Sequence, residues 1–205
     1  PPCVGGAFIK SAPEKDIPDI QIHYVSIAMQ DVHGREGVPL EHGFSNLVYL
    51  CRPQSKGHIA LKSSDPNDDP LMYPNYFSVE QDLIDTRNGL REARRVFMQP
   101  VFDEYRGKEL KPGPSIDINN DDELDNWIRE TGETLYHPVG TCKMGIDELA
   151  VTNEHGQVHG LESVRVVDAS LMPSLIAGNT NAPTIMMAEK ISDHINGKPF
   201  LSKGN

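Results

Sequence analysis

The sequence predicts a mixed α+β chain, with an antiparallel sheet and helices first, then a strand and a helix of α/β type that need a larger sheet to join. Three observations predict it. Two β-rich runs flank a short turn at residues 53–57, as the strands of a hairpin do. Apolar residues recur at steps of three and four from Val79 to Phe97, the spacing of one helix face. Residues 164–168 (VRVVD) form a short apolar run ending in an acid, the usual look of a parallel strand covered on both faces.

Taken in order, residues 20–28 (IQIHYVSIA) are apolar and β-branched and read as a strand. Residues 33–44, rich in Gly, Pro and charge, read as a loop. A second strand follows at 46–52 (NLVYLCR), and 57–62 should pair with it as an antiparallel hairpin. The Asp- and Pro-rich stretch 63–74 should be irregular. Ser78, with Gln81 three residues on, has capping-box spacing for a long helix. Its buried side should hold Val79, Leu83, Thr86, Leu90, Ala93 and Phe97, and Pro100 should stop it. Asn120 should open another helix, with Asp121, Asp122 and Glu123 at the positive end of its dipole. Leu124, Trp127 and Ile128 are its buried side, and Gly132 ends it. Residues 151–159 look like a small hairpin around Glu154-His155-Gly156. A last helix is expected over 184–195, with Pro183 near its first turn and Gly197 and Pro199 past its end.

Bulk numbers bound the function. The 205 residues can bury a real core. A net charge of −11 argues against nucleic acid and anionic membrane surfaces as partners. No apolar run approaches the ~18 residues of a membrane span. Cys3, Cys51 and Cys142 show no Cys-x-x-Cys spacing, so neither a disulfide framework nor a zinc site is expected. The start Pro1-Pro2-Cys3 lacks a methionine and a signal-peptide pattern, and reads as a cut inside a longer protein. Nothing assigns a compartment: a soluble, secreted or cytoplasmic protein all fit.

The chemistry concentrates in two stretches. Residues 135–141 (LYHPVGT) hold His137 between a proline and a nearby glycine. Neutral imidazole can take a proton from an alcohol and keep it, although a lone histidine is more often a satisfied core residue. Residues 179–184 (NTNAPT) offer Asn181, whose amide could orient a hydroxyl or stabilise an alkoxide. Asn181 also reads as an ordinary N-cap. Together they look like a two-residue site that deprotonates an alcohol beside a flavin. Asp168 should sit at the carboxyl edge of a sheet, where ligands bind in open α/β folds, or simply cap the turn into Ser170. His155 and His159 flank a predicted turn, which makes a metal pair a distant reading. No Gly-x-Ser-x-Gly elbow supports a serine hydrolase. No Gly-x-Gly-x-x-Gly occurs either, so the loop that would cradle a dinucleotide's pyrophosphate is missing.

At these residues the chain resembles the glucose–methanol–choline (GMC) family of flavin oxidoreductases, in their C-terminal half. YHPVGTCKMG resembles the block around the family's active-site histidine, and VRVVDASLMPSLIAGNTNAPTIMMAEKISDHI its C-terminal signature. Residues 54–77 (QSKGHIALKSSDPNDDPLMYPNYF) resemble the hairpin segment before them, so the likeness covers about 50–195. The wording is closest to the insect glucose-dehydrogenase-like branch. The resemblance implies FAD, with His137 and Asn181 on the family's two catalytic positions. It also implies flavin contacts at Asp168, Ala169, Asn181, Pro183 and Thr184, and no metal. In fold, it implies an antiparallel-sheet substrate domain over 1–130. Residues 131–205 would carry the catalytic histidine and return into a Rossmann-type FAD domain whose N-terminal part this chain lacks.

The expectation is then the C-terminal part of an FAD-dependent alcohol oxidase or dehydrogenase, not active alone. His137 would take the hydroxyl proton, and hydride would pass to flavin N5. Partners would be a small alcohol or sugar and an electron acceptor, O2 or a quinone. The rival expectation is a non-catalytic binding or structural module derived from the same family.

Overall fold

The computed structural model describes residues 3–28 and 42–199. Most of the loop expected over 33–44 therefore lies outside the described residues. The chain divides into two compact units: residues 1–56 with 75–135, and 57–74 with 136–205. The segment 57–74 belongs to the second unit.

The first unit is a three-stranded antiparallel sheet with two helices. Strands β1 (Cys3–Ile9), β2 (Ile20–Val25) and β3 (Ser45–Leu50) lie in that order. Ile20 faces Leu50 and Ile22 faces Val48 in the β2–β3 register. Strand β1 carries no strong sequence signal, because Gly5 and Gly6 interrupt its pattern and most of it is exposed.

Helix α1 (Glu80–Phe97) packs on both this sheet and the next helix. Ala93 sits in one cluster with Ile20 and Ile22, flanked by Val48 and Leu50. Leu83 sits in another with Ile118, Leu124 and Ile128. The periodicity from Leu83 to Ala93 thus marks a genuinely buried face. Its start does not follow the capping-box expectation. The cap is Val79, which makes no side-chain cap bond. Its amide donates to the Ser55 hydroxyl (3.1 Å), and Gln81 donates to Asp85 instead. Helix α2 (Asp121–Thr131) does start as predicted: the Asn120 side chain accepts from the Asp122 and Glu123 amides, and Gly132 closes it.

Buried carboxylates brace this unit. Asp82, 2% exposed, accepts from the Gln54 and Ser55 amides at 2.8 Å each and so pins the loop after β3. Asp19 accepts from the Ser11 amide and hydroxyl, both at 2.7 Å, and pairs with Lys15. Burial pushes the Asp19 pKa up. The Ser11 bonds and the Lys15 ammonium outweigh that and hold it below its ordinary value. Burial, then the Asp19 charge, pushes the Cys51 thiol up to about 11, so Cys51 is an inert core side chain.

The predicted hairpin pairing is wrong. Strand β3 pairs with β2, while β4 (His58–Ala60) pairs with β5 (Leu71–Tyr73), a strand inside the stretch expected to be irregular. Local turn chemistry cannot choose between neighbours; burial of Ile20 and Ile22 against Val48 and Leu50 does.

In the second unit, residues 164–168 are no parallel strand. Val158 donates to the Val164 carbonyl and Val166 to the Gly156 carbonyl, with a single antiparallel bridge between Gln157 and Arg165. Val164 and Val167 remain exposed, since the described residues provide no sheet to cover them. The small hairpin expected at 151–159 appears as an antiparallel bridge between Thr152 and Val158. Gly156 has φ 72°, and a Cβ there would meet the Val166 carbonyl at 2.5 Å, so the turn admits only glycine. Helix α3 (Asn181–Ile195) buries Ile191. No helix among the described residues is long and apolar enough to cross a membrane.

Candidate active site

The site is built within the second unit, from one loop and one helix start. After His137 the chain turns through Gly140 at φ 88°, a left-handed conformation that glycine adopts without strain. It then runs along a short 3-10 turn, Ala169–Leu171. Cys142 donates to the Ser170 carbonyl (3.1 Å) and Met144 to the Leu171 carbonyl (2.9 Å). The Thr152 hydroxyl, fully buried, donates to the Cys142 carbonyl (3.1 Å). Leu171 and Met172 are buried beneath. These bonds fix the loop that carries His137.

Helix α3 supplies the other side. Its N-cap is Thr180, 8% exposed. The Thr180 hydroxyl makes no cap bond; it lies 3.0 Å from Nδ1 of His137. Asn179, one residue earlier, places its amide nitrogen 3.3 Å from Nε2 of the same ring. Both ring nitrogens of a half-buried imidazole are thereby engaged by residues just outside the helix. Thr184 ties the helix start together: its amide and its hydroxyl both donate to the Thr180 carbonyl, at 3.0 and 2.7 Å.

Asn179 and Thr180 are the side chains that meet the His137 ring; Asn179 and Asn181 are both exposed. Asn181 is the first residue of α3 and exposed. It is not the N-cap, because the helix begins three residues earlier than the predicted 184. Pro183 permits this, since it falls in the first turn where a missing N–H costs nothing. The sequence reading passed over Asn179 and Thr180. Their signal was present: residues immediately before a helix start can reach across to another loop, whereas those inside the first turn are held on the helix surface.

Asp168 caps the 3-10 turn. Its carboxylate accepts from the Ser170 amide (2.7 Å) and hydroxyl. Ala169 opens that turn, and Pro183 and Thr184 are part-buried in the first turns of α3. The remaining histidines do other work. The His155 ring stacks on His194 at 3.7 Å with 5° between planes. His159 Nε2 lies 3.0 Å from the Gly145 carbonyl. Among the described residues no group of three or more His, Cys, Asp or Glu could hold a metal ion.

Comparison with known proteins points to one family. A model of the GMC oxidoreductase family matches residues 53–188. Oxygen-dependent choline dehydrogenase of Pseudomonas fluorescens (strain SBW25) is 48% identical over 198 residues, covering 97% of this chain and 34% of that protein. The enzyme of the same name from Escherichia coli O127:H6 is 46% identical over 198 residues, covering 97% of this chain and 35% of its own length. The chain therefore spans about a third of these relatives. Among solved structures, pyridoxine 4-oxidase from Mesorbium loti superposes with TM-score 0.82 and 25% identity, covering 95% of this chain and 38% of that one. A variant of the Aspergillus oryzae RIB40 formate oxidase, studied for FAD modification, gives TM-score 0.80 and 25% identity over 89% of this chain and 32% of its own. The expected kinship with an insect glucose-dehydrogenase-like branch gives way: these relatives are bacterial choline dehydrogenases.

Proposed function

The chain belongs to the GMC oxidoreductase family, and from that premise we propose that it is the C-terminal part of an FAD-dependent enzyme oxidising an alcohol, with His137 as the proton acceptor. The observation that carries this reading is the His137 ring, engaged at Nδ1 by Thr180 and at Nε2 by Asn179. An imidazole buried only for packing needs no such pair of partners on one helix start.

The residues present fit one part of FAD. The Asn181 and Ala182 amides precede the first helical bond, from the Thr184 amide to the Thr180 carbonyl, so they have no intrahelical acceptor. With the positive end of the α3 dipole they suit the electron-rich edge of a flavin ring. Asp168, Ala169, Asn181, Pro183 and Thr184 would border that ring. No Gly-x-Gly-x-x-Gly is present to take the pyrophosphate, so the chain by itself would hold FAD weakly, and residues outside it would supply most of the grip. When bound, FAD supplies the acceptor for hydride from the carbinol carbon.

The protein's own part is positional. His137 Nε2 takes the hydroxyl proton as the alcohol is oxidised, a contribution of about 10²–10⁴ in rate. Asn179, at the same edge of the ring, holds the substrate oxygen and steadies the charge that develops on it. The names of the relatives make choline the first alcohol to test and O2 the first acceptor, with sugars and quinones as comparison arms.

The test is His137→Ala in the full-length, flavin-loaded protein, with anaerobic flavin reduction followed at 450 nm. A fall of about a hundredfold or more is expected. Reduction at the wild-type rate would remove His137 from the mechanism, and a protein without bound flavin would favour a binding module.

A further inference from the structure

We infer that Thr180 is a positioning residue that fixes which ring nitrogen of His137 carries the proton. The inference rests on the reading of His137 as the base and deepens it.

An N-cap threonine ordinarily turns its hydroxyl to the amide of the second or third helical residue. In α3 the third helical residue is Pro183, which has no N–H, so only the Ala182 amide remains as a partner. The helix thus loses little when the Thr180 hydroxyl is used elsewhere. It is used on Nδ1 of His137, at 3.0 Å. At 8% exposure Thr180 is screened from competing water, and its backbone is held by the two bonds from Thr184.

The opposite edge of the ring decides the tautomer. The atom of Asn179 beside Nε2 is the amide nitrogen, at 3.3 Å, and an amide nitrogen only donates. Nε2 must then accept, so in the neutral ring it carries no hydrogen. The hydrogen sits on Nδ1 and is donated to the Thr180 hydroxyl oxygen, which can accept it. The lone pair at Nε2 is therefore the one presented to an alcohol. When the substrate O–H bond breaks and the Nε2–H bond forms, the ring becomes cationic. Asn179 must yield that edge, while the Nδ1–H···Oγ1 bond persists and strengthens with the charge. Without an acceptor at Nδ1, the ring can shift its hydrogen to Nε2 and lose its basic lone pair. In a serine protease triad the wrong histidine tautomer alone costs about 10⁴ in rate. A neutral hydroxyl orients less strongly than that carboxylate, so a smaller loss is expected here.

The test compares Thr180→Val with Thr180→Ser in the full-length flavin-loaded protein. Valine keeps the shape and removes the acceptor; serine keeps the acceptor. We expect valine to lower the limiting rate of anaerobic flavin reduction about tenfold or more, with the substrate KM within about twofold. Serine should return the rate to within about twofold of wild type. In parallel, 15N spectra of the histidine-labelled protein, with His137 assigned by its loss in His137→Asn, should show Nδ1 protonated and Nε2 bare in the wild type. Thr180→Val should mix or invert that pattern. Wild-type spectra with the hydrogen on Nε2, or a valine variant reducing flavin at the wild-type rate, would overturn the inference while leaving His137 as base. His137→Ala at full rate would instead overturn the base itself. If Thr180→Val does not retain flavin, Thr180→Ala against Thr180→Ser makes the same comparison, and equal rates for the two would overturn the role.

Discussion

Exchanging the two asparagines separates the structural reading from the sequence reading. Asn179 and Asn181 are both two-carbon amides beside the same helix start, yet only Asn179 reaches the His137 ring, at 3.3 Å. Removing one preorganised donor from a developing oxyanion costs about 10²–10³ in kcat, or about 2.7–4 kcal/mol. The 3.3 Å contact is to the ring, and the exposed Asn179 amide must leave Nε2 to reach the substrate oxygen, so Asn179→Ala should fall at the lower limit, about a hundredfold. Asn181→Ala removes an exposed side chain in the first turn of α3 and leaves its backbone amide in place. Alanine is also the better helix former, so the rate should stay within about threefold of wild type. The assay is anaerobic stopped-flow reduction of the full-length enzyme with choline, read as limiting rate and apparent affinity. A hundredfold loss in Asn181→Ala with little loss in Asn179→Ala would refute the geometric assignment and restore the pairing first read from the sequence.

Other consequences follow from the scaffold. Asp82→Ala removes the acceptor for two amides at 2.8 Å in a buried place; bonds to a charged group are worth about 1.5–3 kcal/mol each, and exposed Gln54 recovers part from water. A net loss of about 2–4 kcal/mol should lower Tm by roughly 2–4 °C per kcal/mol in thermal unfolding followed by circular dichroism; an unchanged Tm would contradict the bracing role. For Asp19, the folded pKa lies below the unfolded value near 3.8. Its contribution to stability is therefore present above about pH 4 and is lost as pH falls through the lower folded value. Tm measured from pH 5 to pH 2.5 should drop less steeply in Asp19→Asn, which starts less stable, than in wild type. Gly140→Ala forces a side chain onto φ 88° and within 3.3 Å of the Met172 carbonyl, at a cost of about 1–2 kcal/mol. Flavin reduction should slow along with the loss of Tm, because the same turn carries His137; slow reduction at unchanged Tm would point elsewhere.

Much of the helical skeleton was legible because its signals are local. Asn120 caps α2 through its own side chain, and the face from Leu83 to Ala93 is buried as its spacing requires. Strand pairing was not legible. The turn at 53–57 suggested a hairpin, but β3 satisfies its edge with β2, which is distant in sequence, and β4 with β5. The apolar run at 164–168, expected to need a larger sheet, forms no strand among the described residues. Apolarity marks what must be covered, and the short antiparallel bridge to Gln157 leaves Val164 and Val167 exposed.

The functional site divides in the same way. By itself the sequence determined that an imidazole in a Pro/Gly-bounded loop and an asparagine-rich helix start belong to one oxidoreductase family, because residue types and their order carry the chemistry. Only the tertiary structure decided that Asn179 and Thr180, not Asn181, meet the ring. That choice turns on where α3 begins, and the start is set by which backbone groups and side chains find partners across the fold. A shift of helix start by one residue rotates every side chain by about 100°, so the sequence pattern left more than one residue of that stretch able to face the ring.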